Sequence, residues 1–236
     1  MPNWAYSKVT ISGDRNEVLR LKEQVSQPYQ DPHDPKTTCE GVFLLWNIVK
    51  PTNLSAYRGE EKAKFDEIIK ADHNLVELNE LVLPDNNSDL MARVIHELAT
   101  SDSWYEWNCR NWGTKWDLGS RAEIARESVE YLTDLHAGDL SKPMPMNLHL
   151  EYRLESAWSP PVEALSRLAE QYPDVVISLE SIDENDCFAM SAQWFRIPVS
   201  PREFMPQFVE QDEDITHEMG MELRGYCNLK CCNEYE

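Results

Sequence analysis

From Leu148 to Trp158 the chain alternates. Leu148, Leu150, Tyr152, Leu154 and Trp158 are interleaved with His149, Glu151, Arg153 and Glu155. A period of two sends successive side chains to opposite faces of a strand. One face is therefore buried and the other carries mixed charge, which suits cross-strand ion pairs better than catalysis. Pro160-Pro161 stops this strand and opens a helix at its first turn. Val162, Leu165, Leu168, Ala169 and Tyr172 share the inward face of that helix, and Pro173 ends it. Two further strands, 174–182 and 187–195, are joined by Asp183-Glu184-Asn185-Asp186 and read as a hairpin. Asp183 and Asp186 are paired carboxylates in a turn, where acidic residues are expected without a divalent ion.

The upstream half supplies the complementary pieces. Lys8–Ser12 reads as a strand, and Asp14 followed by Glu17 has the spacing of a capping box opening a helix to about Ser26. Val18, Leu21 and Val25 form its apolar stripe. Residues 27–38 are rich in Pro, Asp and His and predict a loop; 42–49 are apolar and predict a buried strand stopped by Pro51. Residues 52–103 predict a helical insertion: a segment at 60–71 with Phe65, Ile68 and Ile69, a short one at 75–83, and a helix capped by Ser88 with Met91, Val94, Ile95 and Leu98. His96 lies beside that last stripe and reads as a packed histidine. A helix is expected over 121–135, with Ile124, Ser128, Tyr131, Leu132 and Leu135 inward and Gly138 as its C-cap. With the insertions removed, the order reduces to a duplicated split strand–helix–strand. That is the ferredoxin-like α+β plan, an antiparallel sheet with helices on one face. Residues 1–200 form this domain in the expectation, and 201–236 an acidic C-terminal extension that packs loosely on the body or on a partner.

The densest aromatic stretch is Asn111-Trp112-Gly113-Thr114-Lys115-Trp116-Asp117, with Trp104 and Trp107 upstream and Trp158-Ser159-Pro160-Pro161 further on. Each buried indole removes roughly 150–250 Å² from water, so these rings must anchor a core or build a binding surface. Gly113 marks a backbone position with positive φ or a close approach. One reading is a structural corner: a turn running into a strand, Trp112 and Trp116 packed inward, Lys115 paired with a carboxylate, and Ser159 capping the next helix. The other is a pocket rim formed by Trp112, Thr114, Lys115, Trp116, Asp117, Trp158 and Ser159. There the rings would stack on a base, and lysine and threonine would meet a phosphate or carboxylate. Aromatic clusters are most often packing, which favours the corner.

Charge narrows the partners. Asp and Glu number 42 against 22 Lys and Arg, a net charge of −20. Such a surface repels a phosphate backbone over about 8 Å at physiological salt, so direct nucleic-acid binding is not expected. A docking surface for a basic protein partner, a mimic of nucleic acid that occupies a basic groove, or simple solubility remains. No stretch approaches the ~18 apolar residues of a membrane span, and the start lacks a signal-peptide pattern, so a cytoplasmic protein is expected. Six cysteines, Cys39, Cys109, Cys187, Cys227, Cys231 and Cys232, lack zinc-site spacing and read as free thiols. No glycine-rich phosphate loop, nucleophile elbow or His-Glu-x-x-His is present, so neither a catalytic set nor a cofactor or metal is expected.

The opening Met1-Pro2-Asn3-Trp4, the run Ile48-Val49-Lys50-Pro51, the Asn111–Asp117 stretch, Ala157-Trp158-Ser159-Pro160-Pro161 and Tyr172-Pro173 occur in an order that resembles the YubB-type ferredoxin-like domain family, small proteins carried mainly by phages and plasmids. The resemblance covers residues 1–51 and 104–195. This chain departs from the family in having Ala5 where a cysteine is usual, in longer connections at 52–103 and 118–146, and in the tail after residue 200. The resemblance implies a fold and a mobile-element setting rather than an activity. The resulting expectation is a non-catalytic accessory protein in the host cytoplasm that binds a host protein, in the manner of an anti-defence inhibitor, through acidic residues such as Glu210, Asp212, Glu213 and Asp214. A module that sequesters a nucleotide or signal molecule at the Trp/Lys pocket is the alternative, and an enzyme of nucleotide or nucleic-acid metabolism the third reading.

Overall fold

In a computed structural model, which describes residues 3–60, 63, 103–131, 146–185, 188–195, 205–207 and 213–226, the chain builds one six-stranded antiparallel sheet and a two-stranded ribbon. In chain order the elements are β1 (Trp4–Asp14), α1 (Arg15–Ser26), the ribbon β2 (Tyr29–Gln30) and β3 (Thr38–Cys39), a 3-10 turn at Leu45–Asn47, α2 (Leu54–Tyr57) and α3 (Trp104–Asn111). They continue with β4 (Ala122–Tyr131), β5 (Met146–Ala157), α4 (Val162–Gln171), β6 (Val176–Asp183), β7 (Ala189–Trp194), β8 (Met205–Gln207) and α5 (Glu213–Arg224). The sheet order is β4-β5-β1-β6-β7-β8. The sequence β1-α1-β4-β5-α4-β6 with β5 and β6 flanking β1 is the α+β split strand–helix–strand arrangement expected from the pattern.

Alternation in β5 decides the layers. Leu148, Leu150, Tyr152 and Leu154 are buried and pack with Val9 and Ile11 of β1. Val18, Leu21 and Val25 of α1 and Ala164, Leu165 and Leu168 of α4 close the same core. Each Val, Leu or Ile among them contributes about 1.5–3 kcal/mol when fully buried. Asp14 caps α1 by accepting from the amides of Asn16 and Glu17. On the opposite face Lys8 meets Glu180, directly across from it, at 2.6 Å. That face is also covered: α5 packs Leu223 and Met219 against Ile182, Ala189 and Tyr6, and Glu222 binds Lys8 at 2.6 Å. Over Glu213–Arg224 the C-terminal extension is thus a helix seated on the body of the domain.

Three expected elements differ. Residues 42–49 form no strand; Phe43, Leu44, Leu45 and Ile48 are buried around a 3-10 turn. Residues 122–131 of the expected helix instead form the edge strand β4, whose ladder with β5 slips by one residue between Ile124 and Arg126, while Leu132, Leu135 and Gly138 lie outside the described residues. The Trp-rich stretch is the end of α3 and a turn, with Trp112 as C-cap, where a strand was expected. The short segment expected at 75–83, the helix expected at 88–98, nearly all of the one at 60–71, and His96, Asp186, Cys187, Cys227, Cys231 and Cys232 lie outside the described residues, as do Glu210 and Asp212. Glu213 and Asp214 open α5.

Candidate functional site: an aromatic pocket beside a two-motif corner

Thr114 and Ser159 are spent on the corner itself. Thr114 Oγ1 donates to the Ala157 carbonyl at 2.8 Å, Ser159 Oγ donates to the Gly113 carbonyl, and Ser156 Oγ donates to the Ser159 carbonyl at 2.8 Å. Gly113 has φ +82°, as its place in the turn requires, and a Cβ there would collide with the Glu163 carboxylate. The buried Trp112 indole donates to the Val49 carbonyl at 2.9 Å. Ser159 is therefore a tie between the motifs; α4 begins after Pro161 with no side-chain cap.

Asp117 does for the 42–49 loop what a ladder would have done. Its Oδ1 accepts from the amides of Leu45 and Leu118, both at 2.7 Å, and its Oδ2 from the Trp46 amide at 3.1 Å and the Tyr29 hydroxyl at 2.9 Å. Burial pushes its carboxyl above the ordinary range, while these four donors pull the other way. Burial and the facing carboxylate also raise Tyr29. The carboxylate pairing expected of Lys115 is not made among the described residues, Asp117 included. Lys115 instead places its ammonium 4.7 Å from the ring centres of Trp116 and Trp158 and 5.7 Å from Tyr105. Trp158, expected to point inward at the end of the strand, is 41 % exposed and adopts φ +76°. That is the left-handed region bulky residues avoid, and its amide is held by the Asn3 carbonyl at 2.6 Å.

Between this corner, α2 and the β2–β3 ribbon opens a cavity of about 370 Å³. Trp112, Trp116 and Asp117 line it from the Trp-rich turn, Trp104 and Asn108 from α3, and Tyr57 from α2. Tyr29, Asp31, Pro32, His33 and Cys39 complete it from the ribbon and its loop. The walls are interlocked: His33 lies 5.5 Å from Tyr57 and 6.4 Å, edge-on, from Trp104. Below the rim, Trp46 and Trp107 brace Tyr57 and Trp112 with centroids 5.6–6.4 Å apart. Tyr57 donates its hydroxyl to Asn108 at 3.0 Å, and burial pushes its pKa up to about 12. Asp31 Oδ1 accepts from the amides of His33 and Asp34, closing the ribbon loop. Among the described residues, no Lys or Arg lines the cavity.

The seven residues singled out in the sequence therefore divide. Trp112, Trp116 and Asp117 reach the cavity, Thr114 and Ser159 lie within the corner, and Lys115 and Trp158 form a separate ring cluster that shares Trp116. Missed were Tyr29, Asp31, His33 and Cys39, set in a stretch whose composition says only loop, together with Tyr57, Trp104 and Asn108. No local signal marked them: residues 27–38 hold a single aromatic, Tyr29, and two carboxylates, Asp31 and Asp34, which is no more than the chain carries elsewhere. Cys39 and Cys109 are free thiols. Among the described residues, no group of three or more His, Cys, Asp or Glu is placed to hold a metal ion, and no helix is long and apolar enough to cross a membrane.

No family model matches the chain, and no curated protein does. Among solved structures, the chain is similar to protein api92 from Yersinia pseudotuberculosis, of the family model DUF1281, at 10% identity, covering 89% of this chain and 100% of that one, with a TM-score of 0.30. At that TM-score the likeness carries no argument about fold or function.

Proposed function

We propose that this chain is a non-catalytic binding protein that engages a basic protein partner, and that the partner is a protein of the host cell in which a phage or plasmid of the YubB-like type would reside. The observation that supports this most directly is the fate of the corner's polar groups. Thr114, Ser159 and Asp117, the hydroxyls and carboxylate that a catalytic reading would need, are each committed to backbone partners. A group holding its own fold together in this way makes a poor nucleophile or base. What the molecule offers outward is a net charge of −20 and an aromatic cavity bearing two carboxylates. Charge of this size steers a positively charged protein and raises its rate of encounter. The nucleotide-sequestering alternative draws support from the stacking faces but lacks a Lys or Arg among the described lining residues, and Lys115 is taken up by rings.

The test is affinity capture of host proteins by the full-length chain, followed by a salt series. A basic protein should be retained at low ionic strength and released progressively as the Debye length shrinks from about 10 Å to about 3 Å. Host cells expressing the chain should lose part of a defence response. A chain that retains no protein and leaves host defence unaltered is not an inhibitor of this kind.

A further inference from the structure

We propose that the cavity beside the corner is a receptor for an organic cation, an arginine or alkylated lysine side chain presented by the protein partner. The inference deepens the binding reading and rests on it only for the source of the cation. Its first support is the wall chemistry. Ring faces of Trp104, Trp116, Tyr57 and Tyr29 carry negative quadrupole charge, and a cation within about 6 Å of such a face is attracted to it.

The second support is the distribution of charge. The lining carries two carboxylates, Asp31 and Asp117, and no lining residue among those described is a Lys or Arg. A phosphate entering here would meet Asp31 and Asp117 with no Lys or Arg among the described lining residues to balance them, and His33 alone able to take up a positive charge. A guanidinium or ammonium meets the opposite. Asp117 has all of its bonding directions filled, so it supplies field rather than contact. Asp31 is different. Its Oδ1 is used by two backbone amides, whereas its Oδ2 receives, among the described residues, only the Cys39 thiol at 3.9 Å. That oxygen is the acceptor for the incoming N–H.

The third support lies next door. The same Trp116 that walls the cavity also seats the Lys115 ammonium, with Trp158 and Tyr105, at 4.7–5.7 Å. The fold thus already holds one ammonium among three rings from within the chain. The neighbouring cavity repeats the chemistry with a carboxylate added and with no Lys or Arg among its described lining residues. A guanidinium both stacks on rings and bonds a carboxylate edge, so arginine fits the combination best.

The probes are N-acetyl-arginine amide, its trimethyllysine counterpart, the citrulline amide as a neutral mimic of arginine's shape, free choline, and AMP. Binding to the full-length chain is followed by tryptophan fluorescence and by calorimetry. Arginine or trimethyllysine amide should bind saturably, citrulline amide at least tenfold more weakly, and AMP not at all. Asp31→Asn keeps the loop's amide bonds and removes the charge; it should weaken arginine amide about tenfold, as should Trp104→Ala. If Trp104→Ala does not fold by circular dichroism, Asp31→Asn alone decides. Equal binding of citrulline amide, tighter binding of AMP, or arginine binding unmoved by Asp31→Asn would each overturn the assignment. Choline binding more tightly than either amino-acid amide would make the occupant a free cation and overturn the partner source. Capture of a basic partner undiminished by both variants would sink the pocket while leaving the binding function standing. Arginine-amide binding in a chain that captures no partner would do the reverse.

Discussion

Replacing Asp117 by asparagine tests whether one carboxylate holds the pocket floor. Oδ1, with two amides at 2.7 Å, is the better site for the asparagine carbonyl. Its NH₂ then faces the Tyr29 hydroxyl and the Trp46 amide. The hydroxyl can turn and accept; the amide cannot, and one orphaned buried donor costs about 1–3 kcal/mol. The two retained bonds also fall from charge-assisted to neutral strength, a further loss of about 1 kcal/mol each. Relief of the buried charge, whose cost is visible in the raised carboxyl pKa, offsets part of this. The net is about 2–4 kcal/mol, and at this length each kcal/mol moves Tm by about 2–4 °C, so a fall of about 4–16 °C is expected. Asp117→Ala orphans all four donors and should fall further. Scanning calorimetry gives the shift, and near-UV circular dichroism of the aromatic cluster reports loosening of the loop. If Asp117→Asn melts within about 2 °C of the parent, the carboxylate is not what shapes this loop.

Other expectations follow from single interactions. Gly113→Ala at φ +82° should cost about 1–2 kcal/mol for the left-handed backbone, plus displacement of the Glu163 carboxylate, read as a lower urea midpoint at unchanged slope. Lys115→Met removes the ammonium from its rings and should cost about 0.5–1 kcal/mol per exposed cation–ring pair. It should also shift the emission of Trp116 and Trp158 without weakening arginine-amide binding. Tyr57 is raised by burial to about 12 from an ordinary value of 10.0, so its contribution to stability is fully present below pH 10.0 and is lost as pH climbs to about 12. Urea midpoints across that window should drop, and the slope should be shallower in Tyr57→Phe; an identical slope in the variant would assign the alkaline loss elsewhere.

The strands and helices that make the sheet's core were legible because each carries its period on its face. β5 alternates, α1 and α4 repeat at three and four, and Pro160-Pro161 separates the two patterns. What was not legible obeys longer-range causes. Residues 122–131 contain Ala, Glu and Arg, good helix formers, yet they pair as an edge strand because β5 presents an open ladder beside them. Residues 42–49 look like a strand because they are apolar throughout, but their amides bind Asp117 and, through Leu44, the Val25 carbonyl, so no ladder is needed. The corner was foreseeable from Trp112 and Gly113. The pocket was not, since Tyr29, Asp31 and Trp104 are brought together by the ribbon and α3, which no local pattern announces.

The sheet's pairing scheme sets an order of events during synthesis. β1 precedes every other strand, yet its neighbours are β5 and β6: Trp4 pairs with Ala157, and Ala5 with Asp183. A nascent chain must therefore keep its most central strand waiting, both edges bare, until the ribosome has delivered the last of its mates. Pairing across such distances is slow to close and exposes sticky backbone meanwhile, so chains released before residue 183 should be clients of chaperones or precipitate.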